Sequence, residues 1–342
     1  MNRSLRFFIP LFISILLTAC TPPEMDCARS DIYCVGLVTD TGGLQDYGLT
    51  QSAWEGIQKA LTDGIIQKAD FIESVDARDY AKNLGTFAET GYDVIVSSGV
   101  GLENNTLQAA DLYPDSVFIG LDQPAEPAHK NFIAVNFPED QGGFLAGVLA
   151  ANMTDTGVIG AACETSGIPS NWRACEGFRA GAEYTDLEVR IFITYREGGH
   201  RDDLFRDEAW GRETALGMLA DGADIIFGVG GGTGQGALAA ASQAGAWAIG
   251  SEQDQFQVRR EAGAMILASV TPDAGPILYQ VLGLIPLAQP PSPLMGEMRL
   301  SPFHEAGRFI PLALQDRLVE LQLALKNGDI STGVPSEKPD EK

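Results

Sequence analysis

The sequence predicts an α/β protein built as two doubly wound, parallel-sheet lobes. Three observations carry this expectation. Short apolar runs alternate with stretches of helical spacing along the body of the chain, the pattern of parallel sheets covered by helices on both faces. The runs are too numerous for one small sheet. Glycines and carboxylates stand where the runs end, and open α/β sheets take their ligands beyond those ends.

The elements follow in order. Cys34–Val38 is a buried strand that ends at Thr39-Asp40. Residues 51–61 carry Ala53, Ile57 and Leu61 at helical spacing. Residues 94–97 form a strand ending in Ser98-Gly99, followed by a helix over 105–112 and a strand over 117–120. A strand at 132–135 leads to a helix over 143–153. The pattern then repeats with strands at 158–162, 189–194, 225–229 and 247–250, and helices at 172–184, 206–220 and 234–243. Pro290-Pro-Ser-Pro293 interrupts it and marks a linker. Residues 312–325 place Leu314, Leu318, Leu321 and Leu325 on one helical stripe. The expected division is lobe 1 over 33–125 and 253–290, lobe 2 over 126–252 and 291–330, and a polar, frayed tail over 331–342.

The first nineteen residues read as an address. Arg3 and Arg6 precede an apolar run too short for a typical membrane span, which suits a signal peptide. The run closes in Leu17-Thr18-Ala19-Cys20, a quartet that resembles the bacterial lipobox, with Cys20 as the lipid attachment point. Residues 20–32 then form a polar tether. Four cysteines remain, Cys27, Cys34, Cys163 and Cys175, and an even count in an exported chain favours disulfides. Three pairings are open; the local pairs Cys27–Cys34 and Cys163–Cys175 are preferred. The spacing does not suit a metal site.

Charge narrows the partners. The chain has 46 Asp+Glu against 23 Lys+Arg, a formal charge of −23, which becomes −25 once Arg3 and Arg6 are removed. Such acidity argues against nucleic acid and against docking on anionic lipid through a basic face. With 45% hydrophobic and 20% charged residues the composition is that of a globular protein.

The strand ends hold Asp40, Gly42 and Gly43; Ser97, Ser98 and Gly99; Asp122; Gly230 to Gly234, including Gly231 and Gly232; and Glu252 and Asp254. Carboxylates accept hydrogen bonds from hydroxyls and amines, and glycines let a ligand reach the backbone. No Lys or Arg stands at these ends, which argues against a phosphate or carboxylate ligand. Gly232-Thr-Gly234-Gln-Gly236-Ala237 fits G-x-G-x-x-A, with Glu252 beyond the next strand. That keeps a nucleotide-cofactor oxidoreductase open as the enzyme-class alternative. No P-loop lysine, HExxH or GxSxG is present, so neither an enzyme nor a bound cofactor is expected.

A resemblance adds to this. Val38-Thr-Asp-Thr-Gly-Gly-Leu-Gln-Asp-Tyr-Gly-Leu-Thr-Gln-Ser-Ala-Trp-Glu-Gly56 resembles the opening motif of the basic membrane protein (BMP) family of substrate-binding lipoproteins of ABC importers, some of which are purine-nucleoside receptors. The likeness continues in Tyr113-Pro-Asp-Ser-Val-Phe-Ile-Gly-Leu-Asp122, in Pro138-Glu-Asp-Gln-Gly142 with the following helix, in Gly222 to Gly234, and in Ile249-Gly-Ser-Glu-Gln-Asp-Gln255. It implies an α/β fold of the type I periplasmic-binding-protein kind, two doubly wound parallel-sheet lobes with a hinge that close on a nucleoside, with an ABC permease and ATPase as partners and the membrane reached through the lipid anchor. It also implies roles for Asp40 and Asp122 at the cleft, for Phe205 stacking on a base, for Gly231 at the sugar and for Glu252 in place of the family's ribose-binding Asp. The family's Ser-Phe-Asn is Gly48-Leu49-Thr50 here, so Leu49 would cover the base without stacking and Thr50 has a shorter reach. A family lysine falls at Pro272. Tyr47 and Trp172 are candidate replacement aromatics. A sensor lipoprotein without a transport role shares the same expected cleft.

Overall fold

The structure is a computed structural model; it describes residues 25–124, 129–198, 204–259, 265–287 and 290–339. The signal segment, Cys20 and the first part of the tether lie outside the described residues.

Lobe 1 is laid down first. Strands β1 (Cys34–Val38), β2 (Lys68–Ile72), β3 (Val94–Ser98), β4 (Val117–Leu121) and β5 (Phe132–Asn136) alternate with helices α1 (Leu49–Thr62), α2 (Tyr80–Glu89) and α3 (Glu103–Leu112). Lobe 2 follows with α4 (Glu139–Met153), β6 (Val158–Cys163), α5 (Pro169–Thr185), β7 (Arg190–Tyr195), α6 (Glu208–Ala220), β8 (Ile225–Val229), α7 (Gly231–Gln243), β9 (Trp247–Ser251), α8 (Gln255–Val258) and β10 (Ile266–Asp273). Helix α9 (Gly275–Leu284) returns to lobe 1, and β11 (Leu294–Met295), β12 (Glu297–Leu300) and α10 (Leu312–Asn327) complete the fold.

Among the described residues the strands form two six-stranded sheets, ordered β11-β5-β4-β3-β1-β2 and β12-β10-β9-β8-β6-β7. Pairing is parallel throughout the first sheet. In the second, β12 alone runs antiparallel, against β10. Parallel strands buried on both faces should be apolar along their length. β1, β3 and β8 are wholly buried, and they read Cys-Val-Gly-Leu-Val, Val-Ile-Val-Ser-Ser and Ile-Ile-Phe-Gly-Val. Leu314, Leu318, Leu321 and Leu325 form the buried stripe of α10.

The lobe boundaries differ from the sequence expectation. β5 was expected in lobe 2, yet it pairs with β4 in the first sheet. β10 was expected in lobe 1, yet it pairs with β9 in the second. The chain crosses between sheets after β5, after β10 and between β11 and β12. Each crossing is therefore later than expected, because β5 and β10 each pair with the strand just before them, β4 and β9, before the chain changes sheet. A cavity of about 300 Å³ opens among these crossings, beside Pro138, Asp273 and Gly296.

Two local features place the site. α4 and α5 touch backbone to backbone. A Cβ added at Gly143 would lie 1.9 Å from the Ala174 carbonyl oxygen, and one at Gly181 would lie 1.9 Å from that of Phe144. This contact sets the N-terminal turns of the two helices side by side. Helix α1 is started by Asp46, whose carboxylate accepts from the backbone N–H of Gly48 (2.9 Å), Thr50 (2.9 Å) and Gln51 (3.0 Å). These are the donors a helix leaves unpaired in its first turn. Disulfides join Cys27 to Cys34 and Cys163 to Cys175. No described helix is long and apolar enough to cross a membrane.

Candidate functional site

The C-terminal strand ends of the two sheets face each other. Asp254 N–H of lobe 2 donates to the Tyr47 carbonyl of lobe 1 (2.9 Å). Gly48 lies so close to lobe 2 that a Cβ on it would stand 2.4 Å from the Glu252 carbonyl oxygen.

Lobe 1 contributes Asp40, Gly99 and Asp122. Asp40 follows β1; its Oδ1 accepts from Gly42 N–H (2.8 Å). A Cβ at Gly99 would stand 3.1 Å from Asp40 Oδ2, and Gly99 has φ +105°, so a side chain there would be strained and would crowd the carboxylate. Desolvation pushes the Asp40 carboxyl above its usual range. Asp122 ends β4, and its carboxyl is likewise raised by burial, opposed by the positive charge of Arg173.

Lobe 2 contributes Phe205, Gly231, Gly232 and Glu252 as one contiguous cluster. Gly232 N–H donates to the Phe205 carbonyl (2.7 Å). Gly231 N–H donates to both Glu252 oxygens (3.3 and 3.2 Å). Glu252 is reached by solvent, while the protein around it pushes its carboxyl up to about 7, through desolvation first and then the charges of Asp122 and Glu164. Asp122 and Glu252 belong to different lobes, so that repulsion acts across the cleft.

Backbone strain marks the same residues. Among the described residues, the non-glycine positions with positive φ are Tyr47 (54°), Asp122 (56°), Phe205 (62°), Glu252 (67°) and His304 (43°). L-residues adopt this conformation at a cost, and it gathers where a fold must aim a side chain. Three of these five are residues that the family resemblance assigned to the ligand.

A buried network supports Phe205. Glu164 and Arg196 are 0% and 4% exposed at the side chain, with Nη1 to Oε1 at 3.3 Å. Glu164 Oε2 accepts from Thr233 Oγ1 (2.7 Å) and from Phe205 N–H (2.9 Å). Arg196 Nε donates to Asp207 Oδ2 (3.0 Å), and Asp207 Oδ1 caps α6 through Trp210 N–H (3.0 Å). The loop carrying Phe205 is thus fixed at both ends by one ion-paired unit.

A second cation stands at the cleft. Arg173 of α5 donates through Nε and Nη2 to Glu139 Oε2 at the start of α4 (2.9 and 2.6 Å). Burial raises the Glu139 carboxyl to about 7, with Arg173 acting the other way and Asp122 reinforcing the rise.

The remaining candidates fall elsewhere. Thr50 is 3% exposed, and its hydroxyl is paired with Ser98 Oγ (2.9 Å) inside lobe 1. Leu49 is half-buried against the core. Trp172 is 7% exposed and lies in a groove with Arg179 and Thr332. A strand end outside those singled out from the sequence does carry a cation: Arg196 follows β7 directly, paired with Glu164 and Asp207. The glycine-rich turn is also resolved. A bound dinucleotide would set its pyrophosphate at the N-terminus of α7, but the Glu252 carboxylate occupies that position on Gly231 N–H.

Two facing α/β lobes with strained polar residues at their strand ends have the form of a solute receptor. The family model described as "ABC transporter substrate-binding protein PnrA-like" matches residues 34–282. The chain belongs to this family. As a member it is a substrate-binding protein of the ABC transporter class, with a small-molecule ligand. It is similar to the CD4+ T-cell-stimulating antigen of Listeria innocua, 29% identical over 68% of this chain and 66% of that protein. It is similar to the ABC transporter nucleoside-binding protein BmpA of Lactococcus lactis, 30% identical over 64% of this chain and 63% of that protein. It is also 28% identical to basic membrane protein A of Borreliella burgdorferi over 80% of this chain and 77% of that protein. The first two matches span about two thirds of the relatives' length. Among solved structures, an ABC transporter solute-binding protein from Conexibacter woesei superposes with a TM-score of 0.71 at 22% identity, covering 89% of this chain and 99% of that one. That likeness supports the fold.

Glu164, Arg196, Asp207, Thr233, Glu139 and Arg173 were not among the sequence candidates. Glu164 and Arg196 directly follow β6 and β7, so the strand-end rule applied to every strand reaches them. Arg173 and Glu139 carry no such signal; helix packing brings them together.

Proposed function

We propose that this chain captures a nucleoside in the cleft between its lobes and delivers it to an ABC permease and its ATPase, held at the membrane through a lipid on Cys20. The observation that carries the reading is the Phe205–Gly231–Glu252 cluster. It brings an aromatic residue, a glycine backbone and a carboxylate together from three separate loops, with Asp122 of the other lobe near enough for its charge to act on Glu252. An aromatic face stacks on any planar base. Carboxylates accept from ribose hydroxyls. The carboxylates of Asp122 and Glu252 meet across the cleft and would repel a phosphate, so a nucleoside is favoured over a nucleotide. The relative named a nucleoside-binding protein supports the same class.

The chain performs no chemistry in this reading. The ligand stabilises the closed arrangement, and the closed shape is what the permease recognises. Calorimetry of the mature protein with inosine, adenosine, guanosine, uridine and their 5′-monophosphates tests it. Binding of at least one nucleoside and rejection of its monophosphate is the expected result. Sugars binding while every nucleoside fails would overturn the ligand class. Replacement of Cys20 by Ser should abolish labelling by radioactive palmitate in cells.

A further inference from the structure

The polar segment after α10, expected to fray, packs along α5. Thr332 Oγ1 donates to Asp140 Oδ2 (2.5 Å). Arg173 Nη1 donates to the Ser336 carbonyl (2.8 Å). Lys338 Nζ donates to Ser166 Oγ (2.9 Å), in the loop that follows β6. The segment therefore runs from the first turn of α4 to a strand end of lobe 2. Between its residues 332–335 and α5 lies a groove of about 250 Å³ that includes Trp172, Glu176 and Arg179. The bonds join side chains to backbone and to single polar groups, so no hydrophobic period in the sequence announces them.

The middle anchor is the informative one. Arg173 is the guanidinium that offsets burial at both Asp122 and Glu139. Two of its nitrogens are held by Glu139 and a third by the strap. A planar guanidinium delivers its charge in a fixed direction only when its fork is pinned. With Nη1 released, the fork is held at the single atom Glu139 Oε2, which restrains its tilt less than two separate acceptors do. Asp122 lies in lobe 1, whereas Arg173, Glu139 and the strap lie in lobe 2, so the strap fixes a charge that acts across the cleft.

We propose that residues 331–339 form a strap that belongs to the binding site: it pins Arg173 in the orientation that balances Asp122 and Glu139, and so sets ligand affinity and its pH dependence. This rests on the reading of Asp122 as a ligand-binding residue. Arg173 is thus a positioning residue. Among the described residues, the charged groups around this unit are Asp122 after β4, Glu139 and Asp140 from α4, Arg173, Glu176 and Arg179 from α5, Glu197 and Lys338 where the segment meets Ser166, and Glu252 beyond β9.

The test compares the mature chain with a chain ending at Pro335, which loses the Ser336 and Lys338 anchors but keeps α10. Without the pinned guanidinium both carboxyls rise further, so their ionised forms are lost at higher pH. Nucleoside affinity should fall about tenfold near pH 6 and by less near pH 8, as expected when one charge-assisted contact is displaced. Arg173→Lys should reproduce the change, and combining it with the truncation should add little, because both act through one contact. Equal affinity and an equal pH profile in the shortened chain would overturn the proposal, as would additive losses. A ligand-free readout separates this from the functional reading. Glu139 is raised in the folded state, so the folded protein holds its proton longer, and stability falls as pH rises from the ordinary carboxylate range through about 7. In the shortened chain that descending limb should extend to higher pH in melting-temperature scans. An unchanged limb refutes the strap whether or not any nucleoside binds.

Discussion

The two halves of the cleft are held in different ways. Lobe 1 aims Asp40, Gly99 and Asp122 with neutral and backbone groups. Gly42 N–H fixes Asp40, the buried Gln123 Nε2 donates to the Gly99 carbonyl (3.0 Å), and Asp122 N–H is tied to Val135. Lobe 2 aims Phe205 with ionised groups, through Glu164 of the Glu164–Arg196–Asp207 unit, while its Glu252 rests on the Gly231 backbone N–H. A backbone tie tolerates the loss of a neighbour. A buried ion pair does not, because removal of one partner strands the other charge in a poor solvent. Lobe 2 is thus the more rigid support for the ligand and the more fragile one towards mutation.

The largest expected effect follows directly. Glu164→Ala should lower the stability of the unliganded protein by about 3 kcal/mol, since Arg196 would lose its fully buried partner. Chemical denaturation measures it; a loss below about 1 kcal/mol would place the unit among the weak surface pairs.

The next probes the seam between the halves. Gly48→Ala sets a methyl group against the Glu252 carbonyl, so closure is blocked while each lobe stays intact. Ligand affinity should fall by about tenfold or more, which is about 1.4 kcal/mol or above, with little change in unliganded melting temperature. Unchanged affinity would mean that closure does not bring these residues together.

Phe205→Ala removes the aromatic face but keeps the strained backbone, so about 1–3 kcal/mol of ligand affinity should be lost, the range of a base–aromatic stack. Equal loss for a nucleoside and for a free pentose would show that Phe205 does not touch the base.

The smallest effect is a pH profile. Glu252 is raised to about 7 by desolvation from the protein packed around it at the cleft and by the charges of Asp122 and Glu164, against the Gly231 N–H that favours its ionised form. Its folded pKa exceeds its unfolded one, so its contribution to stability is greatest at low pH and declines as pH rises through about 7. Ribose hydroxyls favour the ionised form, so ligand affinity should run the opposite way and increase across that range. Glu252→Gln should flatten the affinity profile in calorimetric titrations. A profile that keeps its slope in the variant would assign the titration to Asp122 or Glu139.

Much of this architecture was legible in the chain itself. Apolar runs such as Ile225–Val229 announced central strands because a strand buried on both faces has no polar positions to alternate. Strand ends announced Asp40, Asp122, Gly231 and Glu252. β2 was missed because Lys68–Ile72 is an edge strand, with polar residues and no fully buried position. β10 was missed because Pro272 stands inside it, at the pairing with β12, and proline ordinarily argues against a strand interior. Thr50 was assigned to the ligand by motif, yet Ser98 claims its hydroxyl.

What the sequence determined by itself was local: periodicity, strand termini and the glycines that let α4 and α5 meet. Those depend on interactions between residues near in the chain or on the character of a single residue. Only the tertiary structure decided which sheet β5 and β10 join, where the three crossings fall, and that Glu164 would find Arg196. It also decided that Ser336, beyond α10, returns to Arg173. Sheet membership turns on which edge accepts each strand, the contacts of Glu164 with Arg196 and of Ser336 with Arg173 join residues 32 and 163 positions apart, and whether a buried carboxylate is neutralised depends on a neighbour that no local pattern names.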